Sequence, residues 1–254
     1  MTAVDRDRLV AELHQYLEAD QGRDYGPNGL QVQGAREIRK VVTGVSASRE
    51  LFERAADAGA QAVLVHHGLF WDGMPSQLTG VMHGRVAALM RADLNLIAYH
   101  LPLDRHGEVG NNVLAAQALG LAELEPFAVN LGFPIGYRGR FTAPLPFSEL
   151  LARCAQLFGQ QPLAQGSGPE QISTVGIVSG GAQKDIYQAI AAGLDVFITG
   201  EISEWVMNLA REAGIHYLSV GHHASEVLGI KALGEWVAER FGIEVEYIDV
   251  PNPV

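Results

Sequence analysis

The sequence predicts an α/β protein with two similar βαβ-containing halves, largely parallel sheets and a metal site in the cleft between the halves. The first observation is that the hydrophobic period alternates between helix-like and strand-like along the 254 residues. Short apolar strands separated by helices of this length are typical of βαβ units. The second observation is that residues 174–201 resemble residues 41–67 in their order of strand, small-residue turn, helix, Ala-Gly and buried strand. Because any two βαβ units share some of this order, the sequence leaves open whether the likeness is a true repeat.

The first half begins with an amphipathic helix and continues with strands and helices in alternation. We predict helices at Arg6–Leu17, from a Ser48 cap to Ala58, at Val81–Ala92 and at Asn112–Leu119. We predict strands at Lys40–Val45, Ala62–Val65 and Leu94–Ala98. The segment Asp24–Gly34 is a predicted loop, because Gly-Pro-Asn-Gly is dense in turn formers.

The second half resumes the alternation after a different middle segment. Residues 125–168 are rich in Gly, Pro and Phe and contain one predicted helix, Ser148–Phe158, so we place a lobe boundary or crossover there. Beyond it we predict strands at Thr174–Val178, Val196–Ile198, His216–Val220 and Glu244–Val250, and helices at Gln183–Ala192, Ser203–Ala213 and Ser225–Phe241. The predicted domains are an N-terminal α/β lobe, 1–125, and a C-terminal α/β lobe, 126–254.

Composition restricts the class of partner and compartment. The chain has 18 Lys and Arg against 29 Asp and Glu, a formal net charge of −11, and 48% hydrophobic residues. An acidic surface repels phosphate backbones and anionic lipid, so we expect neither nucleic acid nor membrane as a partner. The single cysteine, Cys154, and the lack of a long apolar run predict a soluble cytoplasmic protein.

Histidines and carboxylates follow three of the predicted strands. His66 and His67 come directly after one strand, and His100 and Asp104 follow the next. A third cluster, His222, His223 and Glu226, follows the strand at 216–220. Sites in parallel sheets lie just beyond the carboxyl ends of strands, so these clusters predict a metal site. The other histidines, His14, His83, His106 and His216, are predicted to be solvated or locally hydrogen-bonded.

The types of donor indicate the metal. Imidazole and carboxylate ligands without thiolate suit Zn, Fe, Mn, Co or Ni. His222 and Glu226 are four residues apart, the spacing at which one helix face presents two ligands to one ion. The sequence leaves open whether His222 or His223 is the ligand. Four or more ligands with a bridging carboxylate predict two ions that hold a water between them.

Five motifs occur in a fixed order: PNGLQVQG, VLVHHGLFW, IAYHLPLD followed by GNN, TGEISEW, and GHHASE. Together they resemble the dinuclear-metal-centre, toroidal-hexamer family of NGG-interacting-factor-like proteins, also called GTP cyclohydrolase type 2 homologues. The resemblance implies that His67 and Asp104 bind one divalent ion, that His66 and His222 bind the other, and that Glu226 bridges them. It also implies a homohexameric ring.

The family name implies a metal-dependent hydrolase that acts on a GTP-like purine nucleotide. Water would attack C8, the imidazole ring would open and the one-carbon unit would leave as formate. Glu226 would act in catalysis by holding the ions, and His100 would shuttle protons, support a ligand or line the cavity. Glu201 and Glu204 are further candidates for support of the ligands, and Phe70 and Trp71 for a wall against a flat substrate. The alternative functions are a metal-binding storage, delivery or scaffold protein without turnover, and an interaction protein whose fold the metals only stabilise.

Overall fold

The structure is a computed structural model that describes residues 2–254, and it contains thirteen strands and ten α-helices within that range. The strands are β1 Val4–Asp5, β2 Gly29–Val32, β3 Glu37–Ile38, β4 Lys40–Ser46, β5 Ala62–His67, β6 Asn95–Ala98, β7 Ala122–Asn130, β8 Phe133–Pro146, β9 Leu163–Gly166, β10 Gln171–Val178, β11 Val196–Thr199, β12 His216–Ser219 and β13 Glu244–Tyr247. The helices are α1 Arg6–Tyr16, α2 Arg49–Asp57, α3 Gly80–Arg91, α4 Leu101–Arg105, α5 Asn111–Leu119, α6 Phe147–Phe158, α7 Ile186–Ala191, α8 Val206–Ala213, α9 His222–Ser225 and α10 Val227–Phe241. A 3₁₀ turn, Gln183–Asp185, precedes α7. None of the helices in this range is long and apolar enough to cross a bilayer.

The chain forms two compact units whose boundaries differ from the predicted lobes 1–125 and 126–254. Unit 1 comprises the chain up to Leu103 together with Ile230–Pro251. Unit 2 comprises Asp104–Gly229 together with Asn252–Val254. The chain returns to unit 1 at its end because β13 pairs in parallel with β4, where Lys40 forms ion pairs of 2.7 Å with Glu244 and Glu246.

Unit 1 is built on a five-stranded sheet of order β13-β4-β5-β6-β2. The first four strands are parallel and β2 is antiparallel to β6. The apolar part of β5, Ala62–Val65, is at most 1% exposed. A continuous apolar run buried on both faces is typical of a central parallel strand, so the prediction of this strand is confirmed. In the parallel register, Ser46 at the end of β4 lies opposite His67 at the end of β5.

Unit 2 is built on a six-stranded sheet of order β7-β8-β10-β11-β12-β9. Its three central strands, β10, β11 and β12, are parallel. The prediction of a lobe boundary or crossover in residues 125–168 is wrong, because most of this segment lies in the sheet as the hairpin β7–β8 and the edge strand β9. Position 136 of β8 requires glycine, because a Cβ there would collide with the carbonyl oxygen of Ile177 on β10.

The topology of the two sheets supports the internal repeat. In each unit a helix is followed along the chain by a strand that lies at the edge of the sheet and is antiparallel to its neighbour. Three parallel strands come next, and they lie in the sheet in the order of the sequence. These series are α1-β2-β4-β5-β6 in unit 1 and α6-β9-β10-β11-β12 in unit 2. The likeness between the two halves therefore extends beyond one βαβ segment to one helix and four strands in each unit.

Most predicted helices and strands are present within a few residues, with two instructive differences. The prediction of one helix over 225–241 is wrong at its start, because α9 ends at Ser225 and α10 begins at Val227. The interruption puts Glu226 at the C-cap of α9. The predicted loop at 24–34 contains β2, which pairs with β6 through a register shift between Leu30 and Val32. The Gly, Pro and Asn residues of this segment led to the prediction of a loop, and the short edge strand β2 was missed.

Candidate metal centre

Three histidines of unit 1 cluster at the carboxyl ends of β5 and β6. His66 and His67 are the last two residues of β5, and His100 follows β6 by two residues. The ring centroid of His66 lies 4.6 Å from that of His67 and 5.1 Å from that of His100. One ligand atom from each of the three side chains lies within 4.8 Å of the others. Both members of the His-His pair therefore face the same region, as predicted.

Each of these rings is fixed through its Nδ1 atom. His66 Nδ1 lies 3.1 Å from the carbonyl oxygen of Tyr99, and His100 Nδ1 lies 2.7 Å from Oδ1 of Asp24. His67 Nδ1 lies 2.9 Å from Oγ of Ser46. A carbonyl and a carboxylate only accept, so His66 and His100 carry a proton on Nδ1, and the hydroxyl of Ser46 allows the same tautomer for His67. This tautomer puts the lone pair on Nε2, which is the usual arrangement for a metal-binding histidine.

Asp24 holds His100 and the loop around it. Its side chain is 6% exposed, and its Oδ2 accepts hydrogen bonds of 2.9 Å from the backbone N–H of Leu101 and from Asn28 Nδ2. Asn28 Oδ1 in turn accepts from the backbone N–H of His100 at 2.8 Å. Burial raises the pKa of Asp24, but the hydrogen bond and charge of His100 and the Asn28 amide outweigh burial and lower it. The carboxylate is therefore ionised beside the imidazole.

A tight packing contact shapes the chain after the histidine pair. A Cβ at Gly68 would collide with the side-chain amide of Gln31, whose Oε1 accepts from the backbone N–H of Leu69 at 2.8 Å. Gly68 is not among the residues with positive φ, so glycine at this position leaves room for the Gln31 amide rather than serving an unusual backbone conformation. Next to it a small cavity is lined by His66, His100, Phe70 and Trp71, and the Trp71 ring meets His100 edge-on at 5.0 Å.

In unit 2, Asp104 is a buried carboxylate, 6% exposed, on α4. Its Oδ1 accepts hydrogen bonds of 2.9 Å from Asn111 Nδ2 and from Ser179 Oγ. Asn111 Oδ1 also accepts from the backbone N–H of Gly229 at 2.8 Å. Asn112 Oδ1 accepts from the backbone N–H of Ser179 at 2.7 Å. The two asparagines of the GNN motif therefore fix Asp104 and the loop after β10.

His222 lies between two carboxylates of unit 2. Its Nδ1 is 2.6 Å from Glu201 Oε1, and its Nε2 is 3.2 Å from Glu226 Oε1. The contact with Glu226 confirms the predicted pairing of residues four apart. Burial lowers the pKa of His222, but the hydrogen bonds and negative charges of Glu226 and Glu201 outweigh burial and raise it to about 9.

Gly180 makes room for this pair. Its φ is +67°, and a Cβ there would collide with Glu226 Oε1 and lie 3.1 Å from His222 Nε2. The segment Val178–Gly181, at the carboxyl end of β10, therefore supports the carboxylate site. Ser179 contacts Asp104 while Gly180 contacts Glu226, so one short loop brings the acidic residues of unit 2 together.

The remaining candidates divide into supporting and peripheral residues. Glu201 bonds to His222, as predicted, whereas Glu204 is exposed. His106 accepts from two backbone N–H groups, and His216 bonds to the carbonyl oxygen of Pro169. His14 pairs with Asp20 and His83 is exposed. Sequence reasoning missed Asp24, Ser46, Asn111 and Ser179, although the Asn-Asn pair after IAYHLPLD was a signal for one of them.

Comparison with known proteins identifies the family. The family model described as Duf34/NIF3 (NGG1p interacting factor 3) matches residues 4–253. The chain belongs to the Duf34/NIF3 family. This confirms the resemblance stated above from the five motifs.

Individual relatives in the Duf34/NIF3 family cover nearly the whole chain. The protein named "GTP cyclohydrolase 1 type 2 homolog" from Vibrio cholerae is 46% identical, over 97% of this chain and 98% of the relative. A solved structure titled "Structural genomics, protein ybgI, unknown function" has a TM-score of 0.94 and 40% identity, over 99% of this chain and 100% of that one. The crystal structure of TTHA1606 from Thermus thermophilus has a TM-score of 0.90 and 36% identity, again over 99% and 100%. The predicted α/β class is therefore confirmed.

Proposed function

We propose that this protein binds two divalent metal ions and hydrolyses a GTP-like purine nucleotide. His66 and His67 of unit 1 and Asp104, His222 and Glu226 of unit 2 are the proposed ligands, with Glu226 shared by the two ions. The metal is Zn, Fe, Mn, Co or Ni, the ions that imidazole and carboxylate ligands without thiolate suit.

The observation that carries the proposal is the shared arrangement of the histidines. His66 and His222 each bond through Nδ1 to a carbonyl or carboxylate oxygen and present Nε2 to a buried polar site. Outer-shell bonding of this kind fixes the ring and raises the basicity of the ligand nitrogen. Glu226 is only 2% exposed, and a buried carboxylate is costly without a cation beside it. The donor set therefore fits divalent ions.

Bound ions of this kind lower the pKa of a water and polarise the substrate. The side chains of the protein would orient the ligands of the ions and limit the access of bulk water. Asn111 and Ser179 hold the Asp104 carboxylate, and Glu201 holds the His222 ring. Trp71 and Phe70 line the small cavity beside His66, where their apolar rings would limit the access of bulk water to a bound substrate.

The substrate class comes from the name of the relatives, and the acidic charge of the chain opposes a nucleotide unless metal ions are bound. The name of the Vibrio cholerae relative, "GTP cyclohydrolase 1 type 2 homolog", supports hydrolytic opening of a purine ring. The chain has a formal net charge of −11, so the phosphates of a nucleotide need the metal cations to offset repulsion from the acidic protein.

The test begins with metal content and proceeds to turnover. Untagged apoprotein is loaded separately with Zn, Mn, Fe, Co and Ni, the metal per chain is measured by elemental mass spectrometry, and GTP and other purine nucleotides are followed by chromatography. We expect close to two ions per chain and formate release from at least one nucleotide. Glu226→Gln, which keeps the side-chain shape, is expected to lose both, and Glu204→Gln, an exposed carboxylate, is expected to retain both.

Other outcomes would contradict the proposal in distinct ways. Two ions per chain without turnover of any nucleotide would favour metal storage or delivery. A metal content near zero under every condition would exclude both nucleotide hydrolysis and metal storage or delivery.

We also propose that the protein is a homohexamer. Sedimentation equilibrium should then give a mass six times the 27.3 kDa of one chain.

A further inference from the structure

The chain that follows β10 contacts a further carboxylate besides Asp104 and Glu226. In the 3₁₀ turn after β10, Gln183 Nε2 donates to Glu201 Oε2 at 2.9 Å. The other oxygen of this carboxylate contacts His222 Nδ1. We propose that Gln183 is a positioning residue for the metal centre, which acts on His222 through Glu201. The inference rests on metal binding by His222, as proposed above, and not on nucleotide hydrolysis.

The contact between Gln183 and Glu201 has a defined orientation. A carboxylate only accepts hydrogen bonds, so the Nε2 end of the amide, and not Oε1, faces it. Each carboxylate oxygen therefore has its own partner, Oε1 with His222 and Oε2 with Gln183. Hydrogen bonds to a carboxylate prefer directions near its plane, so two partners at opposite oxygens fix that plane. Gln183 thereby determines the direction in which Oε1 accepts from the imidazole.

Glu201 needs this second contact because its side chain is 35% exposed. At that exposure water competes for the carboxylate, and an ion pair loses much of its energy to the entropy of fixing a long side chain. Gln183 restricts the same side chain from the other oxygen, so Oε1 stays beside Nδ1 of His222. A proton held on Nδ1 leaves the lone pair on Nε2, the nitrogen that we propose binds the ion.

Backbone contacts hold the two side chains in place. The carbonyl oxygen of Gly180 accepts from the backbone N–H of Glu201 at 3.1 Å. Thr199 Oγ1, at the end of β11, accepts from the backbone N–H of Ala182 at 3.3 Å. The turn that carries Gln183 therefore begins beside the residue that it contacts. Such preorganisation is what a support of a metal ligand requires.

The experiment is a double-mutant cycle in the full-length protein. Gln183→Met keeps the length of the side chain but removes the donor, and Glu201→Ala removes the carboxylate. Zn²⁺ is added to metal-free protein, and its apparent Kd is measured by competition with a chromophoric chelator. We expect Gln183→Met to raise the Kd about three- to tenfold, less than the effect of about 10–100-fold that is usual for a direct partner of a ligand. In the Glu201→Ala background it should raise the Kd less than about twofold, because no carboxylate remains to be held.

A matched control and a second measurement separate positioning from a general effect on the fold. Gln117→Met, at an exposed position of α5, should leave the Kd unchanged. The visible spectrum of bound Co²⁺ reports coordination geometry, and Gln183→Met should change it whereas Gln117→Met should not. Thermal melts establish that each variant is folded. If Glu201→Ala is unfolded, Gln183→Glu replaces the cycle, and its carboxylate facing Oε2 should raise the Kd more than Gln183→Met does.

The proposal is overturned if Gln183→Met leaves the Kd and the Co²⁺ spectrum unchanged. It is also overturned if Gln183→Met raises the Kd by the same factor with and without Glu201, because the effect would then bypass the carboxylate. Wild-type protein that binds no Zn²⁺ would refute both this proposal and the proposed function. A protein that shows the expected coupling but opens no purine nucleotide would refute the hydrolysis alone.

Discussion

Glu201 holds the Nδ1 side of the His222 ring at 2.6 Å, so a residue that follows β11 orients a side chain that follows β12. Glu226 contacts the other nitrogen of the ring at 3.2 Å. Glu201 therefore orients the imidazole, and Glu226 is the carboxylate that we propose shares an ion with it. This division leads to the first prediction.

Glu201→Gln should weaken metal binding without unfolding the protein. Glutamine keeps the shape of the side chain but removes the negative charge that orients and polarises His222. We expect the Zn²⁺ affinity to fall by about 10–100-fold, the usual effect of losing an outer-shell partner. Competition with a chromophoric chelator measures it. Glu204→Gln in the same segment is the control, and equal affinities for the two variants would show that Glu201 does not act through His222.

Gly180→Ala should disturb the carboxylate site beyond the ordinary cost of its backbone conformation. A non-glycine residue in the left-handed region costs about 1–2 kcal/mol, and here the new Cβ would also collide with Glu226 Oε1. Gly193 has a similar φ, +65°, with nothing within 4 Å of a Cβ. Gly193→Ala therefore carries the backbone cost alone. Urea denaturation and metal analysis should show a larger loss of stability and of bound metal for Gly180→Ala, and identical losses would contradict the prediction.

Asn111→Ala should destabilise unit 2 through two lost hydrogen bonds. The side chain is fully buried, donates to Asp104 Oδ1 and accepts from the backbone N–H of Gly229. Each buried polar group left without its partner costs about 1–3 kcal/mol, so for two groups we expect a loss of about 2–6 kcal/mol in the free energy of unfolding. Asn208→Ala, at an exposed position of α8, should change it by less than about 0.5 kcal/mol. A small effect of Asn111→Ala would mean that water replaces the amide.

Much of the site could be predicted because parallel sheets concentrate polar residues at one edge. Short apolar runs that end in His66-His67, in His100 and in His222 revealed both the strands and the residues beyond them. The spacing of His222 and Glu226 needed only the period of one helical turn, and the structure places the two in contact. These signals are local, so a single sequence carries them.

The supporting residues could not be predicted because their partners are distant in sequence. Asp24 is 76 residues from His100, and Ser179 is 75 residues from Asp104. Nothing local distinguishes Asp24 from the other polar residues of a loop rich in turn formers. The return of Ile230–Pro251 to unit 1 could not be predicted for the same reason, since only the pairing of β13 with β4 shows it.

The buried thiol of Cys154 should make stability fall in alkaline solution. Cys154 is fully buried in the core of unit 2, and burial raises its pKa from 9.0 to about 12. The folded state therefore keeps a proton that the unfolded state releases above about pH 9, so the stabilising effect is complete below pH 9 and is lost as the pH rises toward 12. At pH 10.5 the loss is about 2 kcal/mol, at about 1.4 kcal/mol for each pH unit above the unfolded pKa.

The variant Cys154→Ala isolates this titration from those of the lysines and tyrosines. Both proteins share every other ionisable group, so the difference between their free energies of unfolding reports the thiol alone. Urea denaturation at pH 8 and pH 10.5 should show that difference change by about 2 kcal/mol, to the disadvantage of the wild type at the higher pH. A difference independent of pH would mean that the thiol titrates normally in the folded protein and that the core around α6 opens readily to solvent.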